Sequence, residues 1–323
     1  MRILILGGAG MVGRKLAERL AKDGTLGGKA ISGLTLQDVV AAQKPAGAKF
    51  PVEIKVGDIS LTGEAAKLVA GKPDVIYHLA AIVSGEAEQE FDKGYRINLD
   101  GTRYLLEAVR AAGHKPRVVF TSSVAVFGAP FPEAIADEFF NTPLTSYGTQ
   151  KAIGELLLAD YTRKGFLDGI GIRLPTICVR PGTPNKAASG FFSNIIREPL
   201  AGKEAILPVS EDVRHWHASP RAAVGFLLHA GTIDGAKLGV RRNLSMPGLS
   251  VTVGEQIAAL KKVAGNNVVA LIKRQPDAMI ETIVAGWPSN FDTRRATSLG
   301  FKAESSFEEI IKIHIEDELG GRP

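Results

Sequence analysis

Residues 2–13 read RILILGGAGMVG, an apolar run that ends in Gly7, Gly10 and Gly13 at three-residue intervals. Few folds accommodate such a start. The apolar run reads as a buried strand. The first glycine allows a tight turn, the second lets backbone approach a pyrophosphate, and the third lets the next helix pack on the strand. That helix is predicted from Val12, Leu16 and Leu20, and its N-terminus offers free N–H groups and partial positive charge to phosphates. A plain glycine-rich turn has the same spacing, but the position between a strand and an amphipathic helix selects dinucleotide binding. As an export signal the run is too short, glycine-interrupted and followed by Arg14-Lys15 without a cleavage-type site.

The same rhythm continues through the first half. Apolar runs at 2–6, 33–36, 52–56, 74–79, 117–121 and 171–177 alternate with helical spacings such as Leu105, Leu106 and Val109. Runs that are continuously apolar are expected of strands buried on both faces of a parallel sheet. The fold class is therefore α/β, a doubly wound parallel-sheet Rossmann domain with a smaller mixed α/β substrate lobe. At roughly 150 residues per domain, the 323 residues make room for both. The expected division is 1–177 plus 218–242 for the NAD-binding domain and 178–217 plus 243–323 for the lobe. After residue 178 no further βαβ series is read. RPGTPNKAASGFF reads as loop, TVGE at Thr252 as a capping box opening a helix that Gly265 ends, and SSFEE at Ser305 as another capped start.

Composition excludes several classes. Lys plus Arg exceed Asp plus Glu by 39 − 34 = 5 without a block of five like charges, so no nucleic-acid arm or membrane patch is expected. No stretch approaches the roughly 18 apolar residues of a membrane span. The single cysteine, Cys178, fits a reducing, cytoplasmic setting.

Asp38 closes the second strand, where a carboxylate accepts hydrogen bonds from an adenosine ribose and repels a 2′-phosphate. That favours NAD over NADP, although Arg14 after the third glycine is placed to meet a phosphate. Helix capping or a solvated charge are the other readings of Asp38. Asp58 ends the third strand, suited either to the adenine amino group or to capping the next helix. Further on, SYGTQK sets Tyr147 and Lys151 four apart on one helix face, and FTSSVAVFG places Ser122 and Ser123 at the ligand-binding edge of the fifth strand.

With HLAA (His78–Ala81) and Asn98, these motifs resemble the extended short-chain dehydrogenase/reductase superfamily, and FDTRRATSLGF with SSFEEIIKIHIED is similar to that family's C-terminal end. The resemblance implies Tyr147 as catalytic acid/base, Lys151 as its partner and Ser123 as the substrate-orienting hydroxyl. It also lays Gly7, Gly10, Met11, Val12, Gly13, Asp38, Asp58, Ile59, Leu79, Ala80, Ala81, Asn98, Thr121, Tyr147, Lys151, Pro175 and Ile177 along the cofactor, Asn98 fixing a relay water. Ser84 joins Ser123 and Tyr147 beside the substrate. A free phenol titrates near pKa ~10, and bringing it close to neutrality takes ~4 kcal/mol of differential stabilisation. The adjacent ammonium and a positive nicotinamide ring are the implied source.

Many members of the superfamily act on nucleotide-sugars and carry an Arg-x-Pro-Asn-x-Tyr-Gly-Pro-like sixth strand. Here RLPTICVRPG keeps Arg173 and Pro175 but has Thr176, Cys178 and Val179-Arg180 in place of the rest. The departure brings a cation to the mouth of the site. Arg180 and Arg214 are the candidates to grip an anion by paired hydrogen bonds, with Lys186 and Arg197 behind them. His215 and His217 share a strand face; without further ligands they do not make a metal site, though one is placed to touch substrate. ASGFFSNIIREPL, VRPGTPNKAA and VRHWHASPRAAVGFL resemble a branch of the superfamily that oxidises a four-carbon sugar acid. The resemblance implies NAD-dependent oxidation of the 2-hydroxyl of a small anionic substrate to the 2-oxo acid. A nucleotide-sugar epimerase or dehydratase with tightly held NAD is the alternative, and a non-catalytic NAD-sensing module ranks last. Homodimer formation is implied through the helices around 98–112 and 147–161.

Overall fold

A computed structural model describes residues 1–182 and 189–321. Its centre is a sheet of β1 (Arg2–Leu6), β2 (Gly33–Asp38), β3 (Val52–Val56), β4 (Val75–His78), β5 (Arg117–Ser123), β6 (Asp168–Leu174) and β7 (Asn243–Ser245). The order is β7-β6-β5-β4-β1-β2-β3 and every pairing is parallel. The order reverses between β1 and β4, and in such sheets ligands bind in the crevice outside the strand ends at that reversal. The helices used below are α1 (Met11–Asp23), α2 (Gly101–Ala112), α3 (Ser146–Arg163), α4 (Gly190–Leu200), α5 (Pro220–Ala230), α6 (Val253–Ala264) and α7 (Phe307–Glu318). No described helix is long and apolar enough to cross a membrane.

The central sheet departs from the sequence reading in two respects. The third apolar run is the edge strand, where Val52 and Ile54 are half-buried against the core while Glu53, Lys55 and Val56 are exposed. The sheet also runs past residue 242: Leu244 pairs with Ile172, so α5 and β7 add one more βα unit after residue 178. A three-residue strand is too short to register as a periodic pattern.

The second lobe is built on a three-stranded sheet with Arg214–Ala218 in the middle, parallel to Thr176–Ile177 and antiparallel to Leu249–Thr252. Its core joins Phe192, Ile195 and Ile196 of α4 to Ile257 and Leu260 of α6 and to Phe307 and Ile310 of α7. GFF at 190–192 is thus the first turn of α4 rather than loop. The capping box forms: the Thr252 hydroxyl accepts from Glu255 N at 3.0 Å, and the Glu255 carboxylate accepts from Thr252 N at 2.6 Å. Ser306, one residue later than expected, caps α7. Between α6 and α7 the chain returns to the first domain, where Ala296 and Phe301 share a core with Ile3, Ile5 and Phe226.

Candidate active site

A cleft of about 520 Å³ opens at the carboxyl ends of β1, β4, β5 and β6. Gly7, Gly10, Met11, Val12 and Gly13 form one side, with Leu79, Ala81, Ser84, Thr121, Pro175 and Ile177 continuing it. The glycines serve different ends. A Cβ on Gly13 would stand 2.2 Å from Gly7 O, a distance no side chain tolerates, so the α1–β1 packing itself requires glycine there. A Cβ on Gly10 would meet Gly7 O at 3.4 Å and nothing else. The chain does not forbid a side chain at Gly10; a ligand lying against the backbone would. The turn therefore fits a dinucleotide pyrophosphate.

Ser123 is the last residue of β5, and Tyr147 stands in the first turn of α3. Two features bring them together. Thr145 caps α3 by accepting from Gly148 N at 3.0 Å, and Gly148 lets the helix press on Ala125 O, which a Cβ would approach to 2.1 Å. One turn later the Lys151 ammonium donates to Thr121 O at 2.8 Å and lies 5.6 Å from the centre of the Tyr147 ring. Burial pushes the Lys151 ammonium down to about 8, with Glu155 opposing. Burial pushes the Tyr147 phenol up to about 12, against the Arg180 charge and a hydrogen bond with Ser123. Arg180 is thus a second cation near the phenol, beside the Lys151 that the sequence points to.

Arg180 lines the cleft, anchored by donation to Ile177 O and Ser189 Oγ, both at 2.9 Å. Among the described residues no carboxylate pairs with it. Beside it stand Thr176, His215, Trp287 and Pro288; among these the sequence points only to His215, as one of the pair His215 and His217, for a substrate contact. Trp287 carried no signal, lying in a segment without a motif. Burial pushes the His215 imidazole down to about 3, so it is a neutral group.

Several expected residues lie elsewhere. Arg214 does not line the cleft: it is exposed, donating to Ser250 O at 2.7 Å and pairing with Glu255 at 3.3 Å. Alternation along the strand gives the reason, since Arg214 shares the Trp216 face while His215 and His217 occupy the other. Asp58 binds Ser60 and Arg96, whose hydrogen bonds outweigh burial and hold its carboxyl below the usual range. Asp38 accepts from Ala9 N at 2.9 Å, bracing the glycine turn rather than lining the cleft. Ile59 is core, and Ala80 lies behind Gly7. Asn98 ties Ile82 to Gln150 at 2.9 and 2.8 Å. Arg197 donates to Arg180 O at 2.7 Å and pairs with Glu198, serving packing. The Cys178 thiol is buried and donates to Phe192 O, and Lys186 lies outside the described residues. No group of three or more described His, Cys, Asp or Glu side chains is placed to hold a metal ion.

A doubly wound sheet with a glycine turn at its reversal, and a cleft shared by Ser123, Tyr147 and Lys151, defines a dinucleotide-dependent oxidoreductase. Residues 3–226 match the NAD dependent epimerase/dehydratase family, and the chain belongs to it. The chain is 49% identical over 321 residues to D-erythronate dehydrogenase of Cupriavidus necator, covering 98% of each chain. It is 43% identical to D-erythronate dehydrogenase of Haemophilus influenzae, covering 99% of this chain and all of that one. A solved structure described as a nucleoside-diphosphate-sugar epimerase from Agrobacterium tumefaciens is 68% identical, covers 99% of this chain and 95% of its own, and superposes with a TM-score of 0.98. The protein is an NAD-dependent oxidoreductase.

Proposed function

We propose that the protein oxidises the 2-hydroxyl of a small sugar acid, D-erythronate or a near homologue, to the 2-oxo acid. The observation that carries this reading is Arg180, a guanidinium without a carboxylate partner among the described residues, facing the cleft that holds Tyr147. A half-buried guanidinium without a carboxylate partner suits an anion, and a carboxylate gripped there sets the adjacent alcohol carbon near the phenol. NAD⁺, held by the Gly7–Gly13 turn, supplies the hydride acceptor and a positive ring. Tyr147 takes the hydroxyl proton, Ser123 orients the hydroxyl, and Lys151 fixes the helix turn beneath the phenol and reaches toward the cofactor ribose. In this reading the domain built on the central sheet, including Asn243–Ser245 and the returning segment with Ala296 and Phe301, carries the cofactor, and the second lobe carries the substrate. The reading also makes the protein a cytoplasmic homodimer.

The description of the Agrobacterium structure favours a second reading, a nucleotide-sugar epimerase, which would produce no net NADH. The deciding measurement is NADH absorbance with a panel of three- to six-carbon sugar acids and several nucleotide-sugars. Accumulation with a four-carbon acid is the expected result; none with any acid overturns the proposal. Tyr147→Phe is expected to lower kcat by roughly 10²–10⁴-fold while NAD affinity stays within about twofold.

A further inference from the structure

Two polar groups of the cleft wall are used neither by proton transfer nor by the carboxylate grip. Thr176 Oγ1 and His215 Nε2 share a hydrogen bond of 2.7 Å. The imidazole is 3% exposed. It stacks on Phe192 with ring centres 5.2 Å apart and planes 7° from parallel, and Trp287 braces it at 5.2 Å. A ring packed this way has no room to turn. Being neutral, it has one donor and one acceptor nitrogen, and it commits Nε2 to Thr176. A hydroxyl has one proton and two lone pairs, so Oγ1 keeps further hydrogen-bonding capacity whichever way that bond runs. Thr176 is half-buried and lines the cleft, where a ligand can use that capacity.

Position supplies the second argument. Leu174 pairs in register with Ser123, and Thr176 follows two residues on. There the chain has left the central sheet for that of the second lobe, and Thr176 lines the same cleft as Ser123 and Tyr147. The carboxylate is served by the charged Arg180; a neutral pair fixed rigidly beside it complements a neutral hydroxyl.

We infer that Thr176, held in place by His215, hydrogen-bonds the terminal hydroxyl of the sugar acid and so determines the chain length accepted, with Trp287 closing that end. The inference rests on the sugar-acid reading above and makes Thr176 and His215 specificity residues rather than catalytic ones. The test compares wild type, Thr176→Val and His215→Phe on erythronate and on its 4-deoxy analogue, 2,3-dihydroxybutanoate, at saturating NAD⁺. Thr176→Val is expected to raise KM for erythronate about tenfold, the effect of one lost hydrogen bond, with kcat nearly unchanged. KM for the deoxy analogue should stay within about twofold, and His215→Phe should follow the same pattern. Equal losses on both acids, or no loss on either, would overturn the inference, because a structural or carboxylate-binding role does not distinguish them. Wild type inactive on every sugar acid would instead overturn the reading on which it rests. NAD binding by fluorescence reports whether each variant is folded.

Discussion

At the scale of single residues, the phenol proposed as the base is subject to opposing forces. Burial pushes Tyr147 up to about 12, and Arg180 is the charge that pulls it down. A base must be deprotonated to accept the alcohol proton, so alcohol oxidation is expected to accelerate as pH rises. Replacing Arg180 by Gln removes the cation, and the rising limb of log kcat against pH should move to higher pH while KM for the acid increases. An unmoved limb would show that the guanidinium does not act on the phenol. That Ser123, Tyr147 and Lys151 share one cleft was legible in the sequence, because the chemistry proposed for them demands fixed residue types at fixed spacing. Arg214 was misread because a residue's face depends on strand parity, and parity is known only once the strand's partners are known. His215 was one of two histidines the sequence placed near substrate, whereas Trp287 meets the cleft from a remote segment, a juxtaposition no local pattern records.

Among elements, the strand-turn-helix at the N-terminus separates packing from ligand binding. Gly13→Ala forces a methyl to within 2.2 Å of Gly7 O, so thermal stability and NAD affinity should both fall. Gly10→Ala has 3.4 Å of room; its melting temperature should stay within about 2 °C while NAD Kd, measured by titration calorimetry, rises at least tenfold. Equal behaviour of the two variants would refute the division of labour. In the other lobe, Thr252→Ala removes the hydroxyl that accepts from Glu255 N, while the Thr252 backbone N–H can still donate to the Glu255 carboxylate; the loss is expected to cost about 1 kcal/mol in denaturant unfolding. The capping box and the first five strands were readable because each is a local signal, whereas the run 171–177 divides at Pro175 between β6 and a short strand of the second lobe. Strand Asn243–Ser245 was not readable, because its three residues are strand only by virtue of the β6 edge they join.

At the scale of the molecule, α2 and α3 flank one side of the sheet, and Leu156 on α3 is 69% exposed beside the half-buried Leu157 and Tyr161. An apolar side chain so placed suits the two-fold contact proposed for the homodimer. Leu156→Arg should convert the protein to monomer in sedimentation velocity; an unchanged coefficient would locate the interface elsewhere. The two-lobe division was readable from the change of rhythm near residue 178, but the seam between lobes was not. Asn243–Ser245 belongs to the first sheet, Leu249–Thr252 to the second, Ala296 and Phe301 to the first core, and Phe307 to the second. Because the backbone is laced to and fro in this way, neither half owns a contiguous stretch of chain that could fold alone. Heating should therefore give one calorimetric transition, with van't Hoff and calorimetric enthalpies equal per cooperative unit, and a nick near residue 240 should unravel cofactor and substrate halves together.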